Sequence, residues 1–230
     1  MRDPKPVIEL VVFDMAGTTV KDNHDVSRAL ITAFESVGIP LSVADTNPVM
    51  GYPKPEAVRI LLERNTTTPV SPDQIDKIHQ LYRKTILNFY RMDPDVGEKE
   101  GAAATFLALH QKGIKVALDT GFDRMTANIL LHRLGWIEQG LIDASVTSDE
   151  VDRGRPAADM IHEAMRRTRV KNIAHVAKVG DTPADLQQGS RAGCGYVIGV
   201  TTGSHDAAIL AQEPHTHLIE SLEQVLDIVG

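Results

Sequence analysis

Hydrophobic residues along the chain fall into two recurring patterns. Short runs, Val7 to Phe13, Lys115 to Asp119, His175 to Val179 and Tyr196 to Val200, are apolar or β-branched at nearly every position. Continuous apolarity without alternation predicts strands covered on both faces. Between the runs, Ala102 to Gln111, Arg124 to Leu134, Ala157 to Arg167 and Ala184 to Ala192 repeat their apolar positions at helical spacing. Strands alternating with helices predict βα units and a parallel sheet, an α/β fold with a Rossmann-like core. The strand-like runs lead into Asp14, Thr120-Gly121, Gly180-Asp181 and Thr201-Thr202-Gly203. In open α/β sheets ligands bind outside the carboxyl ends of the strands, so these polar residues converge on one crevice.

The alternation breaks between about Lys21 and Asp95. Here Asp25 to Val37, Pro55 to Glu63 and Pro72 to Tyr90 read as consecutive helices, the last opened by a Ser71 N-cap and an N1 proline. The regular plan resumes after Pro94 and Gly97. The chain therefore divides into a core of residues 1–20 and 96–230 and a helical cap of residues 21–95, inserted after the first strand as a lid over the crevice. On the cap, Ile86, Phe89 and Tyr90 either pack its interior or pair two copies in a homodimer.

Composition narrows the partners. The 230 residues carry 24 Lys+Arg against 31 Asp+Glu, a net charge of −7. A nucleic-acid binder needs concentrated cations to displace counterions, and an anionic membrane surface needs the same, so neither is expected. Cys194, flanked by Gly193 and Gly195, is the lone cysteine. It reads as a packed small residue, and no Cys/His set has zinc spacing. Met1-Arg2-Asp3-Pro4-Lys5-Pro6 and the following run, broken by Glu9, fit neither a signal peptide nor a membrane span, so a cytoplasmic protein is expected.

The chemistry concentrates in four places: Asp14-Met15-Ala16-Gly17-Thr18-Thr19, Thr120-Gly121, Arg155-Pro156 and Gly180-Asp181-Thr182-Pro183-Ala184-Asp185. A carboxylate at a strand tip can present one oxygen to phosphorus and the other to a metal. Asp181 and Asp185, four apart at a helix start, are expected to project from one face toward Asp14. Three convergent carboxylates suit Mg²⁺. Thr120 and Gly121 suit a phosphoryl oxygen, and Arg155 offers it a fixed guanidinium fork. Arg153 reads as a solvated neighbour.

In their order, these four motifs resemble the haloacid dehalogenase superfamily of phosphohydrolases over nearly the whole chain. The resemblance implies Asp14 as nucleophile and a Mg²⁺ held by Asp14, the Ala16 carbonyl and Asp181, with Asp185 supporting it. Most phosphatases of the superfamily carry an acid two residues after the nucleophile, where this chain has Ala16. Positioned acid catalysis contributes roughly 10²–10⁴-fold, so its absence implies a slow enzyme or a leaving group that needs no such proton.

Val49-Met50-Gly51-Tyr52-Pro53-Lys54, together with the DxAGTT form and Arg155, resembles the phosphonoacetaldehyde hydrolase branch, whose cap lysine forms a Schiff base with a substrate aldehyde. Lys54 would play that part, with Met50 lining the site. Phe122 replaces a tyrosine of that branch, and Ala57 replaces a histidine for which His24 is the substitute. The alternative for Lys54 is an exposed lysine paired with Glu56. The resemblance thus implies a hydrolase of a small 2-oxo-alkylphosphonate. The other readings are a phosphatase of a small phosphate ester, of phosphoglycolate-phosphatase type, a haloacid dehalogenase, and a non-catalytic binding protein.

Overall fold

A computed structural model describes residues 7–230 of the chain, and the expectation drawn from Met1 to Pro6 lies outside them. Six parallel strands form one sheet: β1 (Leu10–Asp14), β2 (Lys115–Thr120), β3 (Ala144–Thr147), β4 (Val176–Gly180), β5 (Tyr196–Val200) and β6 (His217–Ile219). Their spatial order is β3-β2-β1-β4-β5-β6. The chain builds outward from β1 through β2 to β3, then returns to the other side of β1. The order therefore reverses between β1 and β4, the place where α/β sheets open a crevice at their carboxyl ends.

After β1 the insert contributes α1 (Asp25–Glu35), α2 (Val43–Thr46), α3 (Lys54–Asn65) and α4 (Pro72–Met92). After them come α5 (Ala102–Gln111), α6 (Arg124–Leu134), α7 (Asp159–Thr168), α8 (Pro183–Ala192), α9 (Ala207–Leu210) and α10 (Val225–Val229). Ser71 opens α4 by accepting the Gln74 amide while Gln74 accepts the Ser71 amide, a reciprocal cap with Pro72 at N1. Ile78, Tyr82, Ile86 and Tyr90 form the buried stripe of α4, four residues apart, and α1 and α3 pack on that helix. Ile86 and Tyr90 are thus spent in packing, with Phe89 half-buried against them, and a second copy would have to use other residues.

The unbroken apolarity of β1 follows from its two covered faces. Val11 and Phe13 join the cluster that includes Phe106 of α5 and the buried residues of α1, α3 and α4. Leu10 and Val12 face the other way, into the cluster with Met160, Ile161 and Ala164 of α7. β3 and β6 were not expected from the sequence. They are edge strands of four and three residues, and Ala144-Ser145 and His217 lack the apolar runs that mark the central strands. Cys194 is half-buried after α8, and burial pushes its thiol up to about 12, which agrees with a packing role.

Candidate active site

Asp14 is the last residue of β1, and its neighbours turn the chain sharply away. The amides of Thr18, Thr19 and Val20 all donate to the Met15 carbonyl, and Gly17 takes φ 92°. A Cβ on Gly17 would fall 2.3 Å from Asp181 Oδ2, so only glycine lets this loop approach the β4 tip. Thr18 Oγ1 donates to Asp181 Oδ1 at 2.7 Å, and the Ser204 amide donates to Asp181 Oδ2 at 2.6 Å. Asp181 precedes α8, while Asp185 sits three residues inside the Thr182 cap. The expectation that the two project from one helix face is therefore corrected: the strand tip carries one and the first helical turn the other.

Arg155 is the hub. Its side chain is fully buried, with Nη1 2.6 Å from Asp14 Oδ1 and 3.1 Å from Asp185 Oδ1. Its Nη2 bonds the side chain and the carbonyl of Asp119, at 2.6 and 2.7 Å, and Nε reaches Gln188 at 3.3 Å. Lys178, also fully buried, pairs with Asp119 and, at 3.0 Å, with Asp185. Gly189 of α8 makes room for it, since a Cβ there would lie 2.9 Å from that of Lys178. Arg153, by contrast, is exposed and bonds Asp159, as expected of a solvated neighbour.

Carboxylate oxygens of Asp14, Asp119 and Asp185 come within 4.8 Å of one another, and such a buried triad can hold a metal ion. Its members share two buried cations, Arg155 and Lys178. Asp185 spends Oδ1 on Arg155 and Lys178 and Oδ2 on Thr182. Burial works against its charge, but those two cations win and hold its carboxyl below the usual range. Asp181 has no cationic partner among the described residues, and burial followed by the Asp185 charge raises its carboxyl. Asp14 is raised to about 7, first by burial and then by Asp185 and Asp181, against the pull of Arg155. Arg155 and Lys178 are thus shared among Asp14, Asp119 and Asp185, with Asp181 beside them, so carboxylates outnumber cations in this cluster. No backbone amide of the loop donates to the Ala16 carbonyl. The donor set expected for a hard cation is therefore present and charge-deficient, so the residues fit one.

The helical insert closes over these groups. Asp14, Ala16, Asp22, Val26, Met50, Gly51, Lys54, Thr120, Gly121, Phe122, Arg155, Thr182 and Ser204 line a cavity whose free space is only about 20 Å³, room for roughly one water. Two glycines allow this fit. A Cβ on Gly121 would lie 2.5 Å from the Tyr52 carbonyl, and one on Gly154 would lie 2.3 Å from Pro53 Cγ. Lys54 is 4% exposed at the start of α3, donates to the Tyr52 carbonyl at 3.3 Å and lies 5.4 Å from the centre of the Phe122 ring. Glu56 bonds Arg59 instead, so the reading of Lys54 as an exposed lysine paired with Glu56 is corrected. Burial lowers the Lys54 ammonium to about 8, opposed in part by Asp14.

His24 is corrected as well. It is exposed in a left-handed turn before α1 and does not line the cavity. Asp22, two residues earlier, lines it instead, and the sequence reading passed over it. Asp119 and Lys178 were also missed. Lys178 had a visible signal, since a charge inside an otherwise apolar, doubly covered strand requires a buried partner.

Residues 8–193 match the haloacid dehalogenase-like hydrolase family. The chain belongs to that family. It is a hydrolase, with a Rossmann-like core of the haloacid dehalogenase type. It is 28% identical over 227 residues to a phosphonoacetaldehyde hydrolase of Bacillus cereus (strain G9842), covering 95% of this chain and 83% of the relative. It is 30% identical over 236 residues to the protein of the same name from Bacillus cereus (strain AH187), covering 96% and 86%. A phosphonoacetaldehyde hydrolase-like protein from Oleispira antarctica superposes with TM-score 0.86 at 21% identity, over 97% of this chain and 91% of that one. A predicted phosphoglycolate phosphatase from Haemophilus somnus 129PT gives 0.78 at 17%, over 97% and 98%. Among the described residues, no helix of this hydrolase is long and apolar enough to cross a membrane.

Proposed function

We propose that this hydrolase cleaves the C–P bond of a small 2-oxo-alkylphosphonate of the phosphonoacetaldehyde type. Its insert, residues 21–95, acts as a lid that brings Lys54 to the substrate carbonyl. The single observation that carries this reading is Lys54, which is buried against Phe122 in the same cavity as Asp14 and held near pH 8 by burial. A lysine that is partly neutral close to neutral pH can attack a carbonyl. The methyl of Ala16 then marks a leaving carbon whose electrons need no acid there.

Lys54 Nζ adds to the carbonyl carbon, and loss of water gives an imine. Asp14 attacks phosphorus in line. As the O–P bond forms the C–P bond breaks, and its electron pair moves into the protonated imine as an enamine. The enamine takes a proton on carbon, water hydrolyses the imine to free Lys54 and the carbonyl product, and a second water releases phosphate from Asp14. Arg155, with Thr120 and Gly121 beside it, orients the phosphoryl oxygens and balances their charge. Asp14, Asp181 and the Ala16 carbonyl are the residues that would hold Mg²⁺, with Asp185 supporting them. When bound, the ion supplies neutralising charge to the phosphonate oxygens and the nucleophile.

A phosphatase acting on a small phosphate ester is the second reading, since Asp14, Thr120 and Arg155 serve both and only Lys54 and Ala16 distinguish the two. Borohydride reduction in the presence of phosphonoacetaldehyde separates them. An adduct mass on Lys54 is the expected result, and an unmodified Lys54 together with turnover of phosphate esters would establish the phosphatase.

A further inference from the structure

The cavity holds a carboxylate that belongs to neither the Arg155 and Lys178 cluster nor the expected metal set. Asp22 follows the bridge that Val20 makes to Glu98, at the point where the chain enters the insert. One of its oxygens, Oδ1, accepts the amides of Asp25 and Val26 at 2.6 and 3.3 Å and so caps α1, whose N-cap residue His24 offers no side-chain bond. Its other oxygen makes no hydrogen bond, and the side chain forms no ion pair, among the described residues. Two amide donors at a helix start ordinarily hold a carboxyl low, yet burial outweighs them and raises it, with Asp25 and Asp181 pushing the same way.

The surroundings of Asp22 are those of a proton carrier. Its charge acts on Lys54, which faces the same cavity. From α4, the phenols of Tyr82 and Tyr90 are buried with hydroxyls that have no partner, and after burial itself Asp22 is the first charge that acts on each. Asp14 and Asp181 add negative charge from the strand tips. Both phenols therefore remain neutral donors, and Lys54 is the one cation this carboxylate shares the cavity with besides Arg155.

We propose that Asp22 is the acid–base residue of the lid, protonating the departing carbonyl oxygen while Lys54 forms its imine, a task that neither residue 16 nor residue 57 can perform. The inference rests on the imine reading above. In the addition step the C–N bond forms and the amine's own proton moves to the carbonyl oxygen, giving a carbinolamine. The C–O bond then breaks: protonated Asp22 supplies the proton with which that oxygen leaves as water. What remains is a protonated imine and an Asp22 carboxylate beside it, so charge and atoms balance. On hydrolysis of the imine the same carboxylate takes the proton back from the attacking water.

The test follows the rate of borohydride trapping at Lys54 by intact mass, with phosphonoacetaldehyde as the probe and the full chain as the protein. Asp22→Asn keeps an oxygen for the Asp25 and Val26 amides, so its thermal midpoint is expected to stay at the wild-type value while trapping slows about 10²-fold. Asp22→Ala loses the cap as well, melts earlier and traps as slowly, and added formate, a small carboxylic acid, restores part of its rate. Equal trapping rates in the wild type and Asp22→Asn would overturn the assignment and leave the imine intact. Failure of formate to accelerate Asp22→Ala would count against it in the same way. Absence of any adduct in the wild type would instead remove the reading on which it rests.

Discussion

Arg155 Nη1, itself fully buried, lies 2.6 Å from Asp14 Oδ1, while the same guanidinium holds Asp119 through Nη2. One planar fork thus ties the tip of β1 to the end of β2, and it does so with a charge that burial cannot remove. A lysine at this position is a point charge on one nitrogen, without the two fixed nitrogens that hold Asp14 and Asp119 in one plane. Arg155→Lys is expected to lower turnover about 10²–10³-fold, with the loss in kcat rather than KM. Steady-state kinetics on the purified variant check it.

Lys178 and Asp119 are each fully buried, and removing either charge leaves the other one charged partner short, with only Arg155 left for Asp119 and only Asp185 left for Lys178. Lys178→Met should destabilise the fold by about 3–5 kcal/mol, measured by denaturant unfolding. Adding Asp119→Asn should recover part of that loss, because a neutral amide no longer needs the ammonium. A double-mutant cycle with no coupling would show that the pair is not a unit.

Lys54 gives a pH signature. Its ammonium has a lower pKa in the folded chain, about 8 against 10.5, because burial disfavours the charge. The unfolded chain then binds more protons between those values, so this group makes stability rise with pH across that window. Below pH 8 the full penalty is present, on the order of 3 kcal/mol from the shift. Lys54→Met is therefore expected to be more stable than the wild type at pH 7, with the advantage shrinking between pH 8 and 10.5. Chemical melts at several pH values measure the difference, and a destabilised variant at pH 7 would contradict it.

Gly121 tests the closed lid. A methyl placed there meets the Tyr52 carbonyl at 2.5 Å, so Gly121→Ala must push the 50–54 loop away from the strand tips. The clash falls between the insert and the core rather than inside either, so the expected result is a raised KM and lowered kcat with a near-native melting temperature. A variant with native kinetics would mean that the lid does not need this contact.

The sheet was legible because its central strands are covered on both faces, which forces Leu10 to Phe13 and their counterparts to be apolar at every position. The helices Ala102–Gln111 and Arg124–Leu134 fell at their expected ends, since apolar spacing and flanking turn residues agree there. Edge strands β3 and β6 were hidden by the same logic: short and partly exposed, they carry no such run. In the site, Asp14, Thr120, Arg155 and Asp181 were readable from their places at strand tips or in motifs. Asp22 was not, because a carboxylate in a hinge next to His24 looks like surface until the chain path brings it inward. Lys178 signalled a buried partner, but its pairing with Asp119 was hidden because it joins residues 59 apart in sequence on strands β2 and β4, which flank β1.

The central claim is that one site joins a phosphorus nucleophile, Asp14, to a carbonyl-attacking lysine, Lys54. The direct measurement is ³¹P NMR of phosphate release from phosphonoacetaldehyde and from a simple phosphate ester, with Mg²⁺, by the wild type, Lys54→Met and Asp14→Asn. The account predicts release from the phosphonate by the wild type, its loss in both variants, and a Lys54→Met protein that keeps any ester hydrolysis the wild type has. Equal phosphonate cleavage by Lys54→Met and the wild type would contradict it.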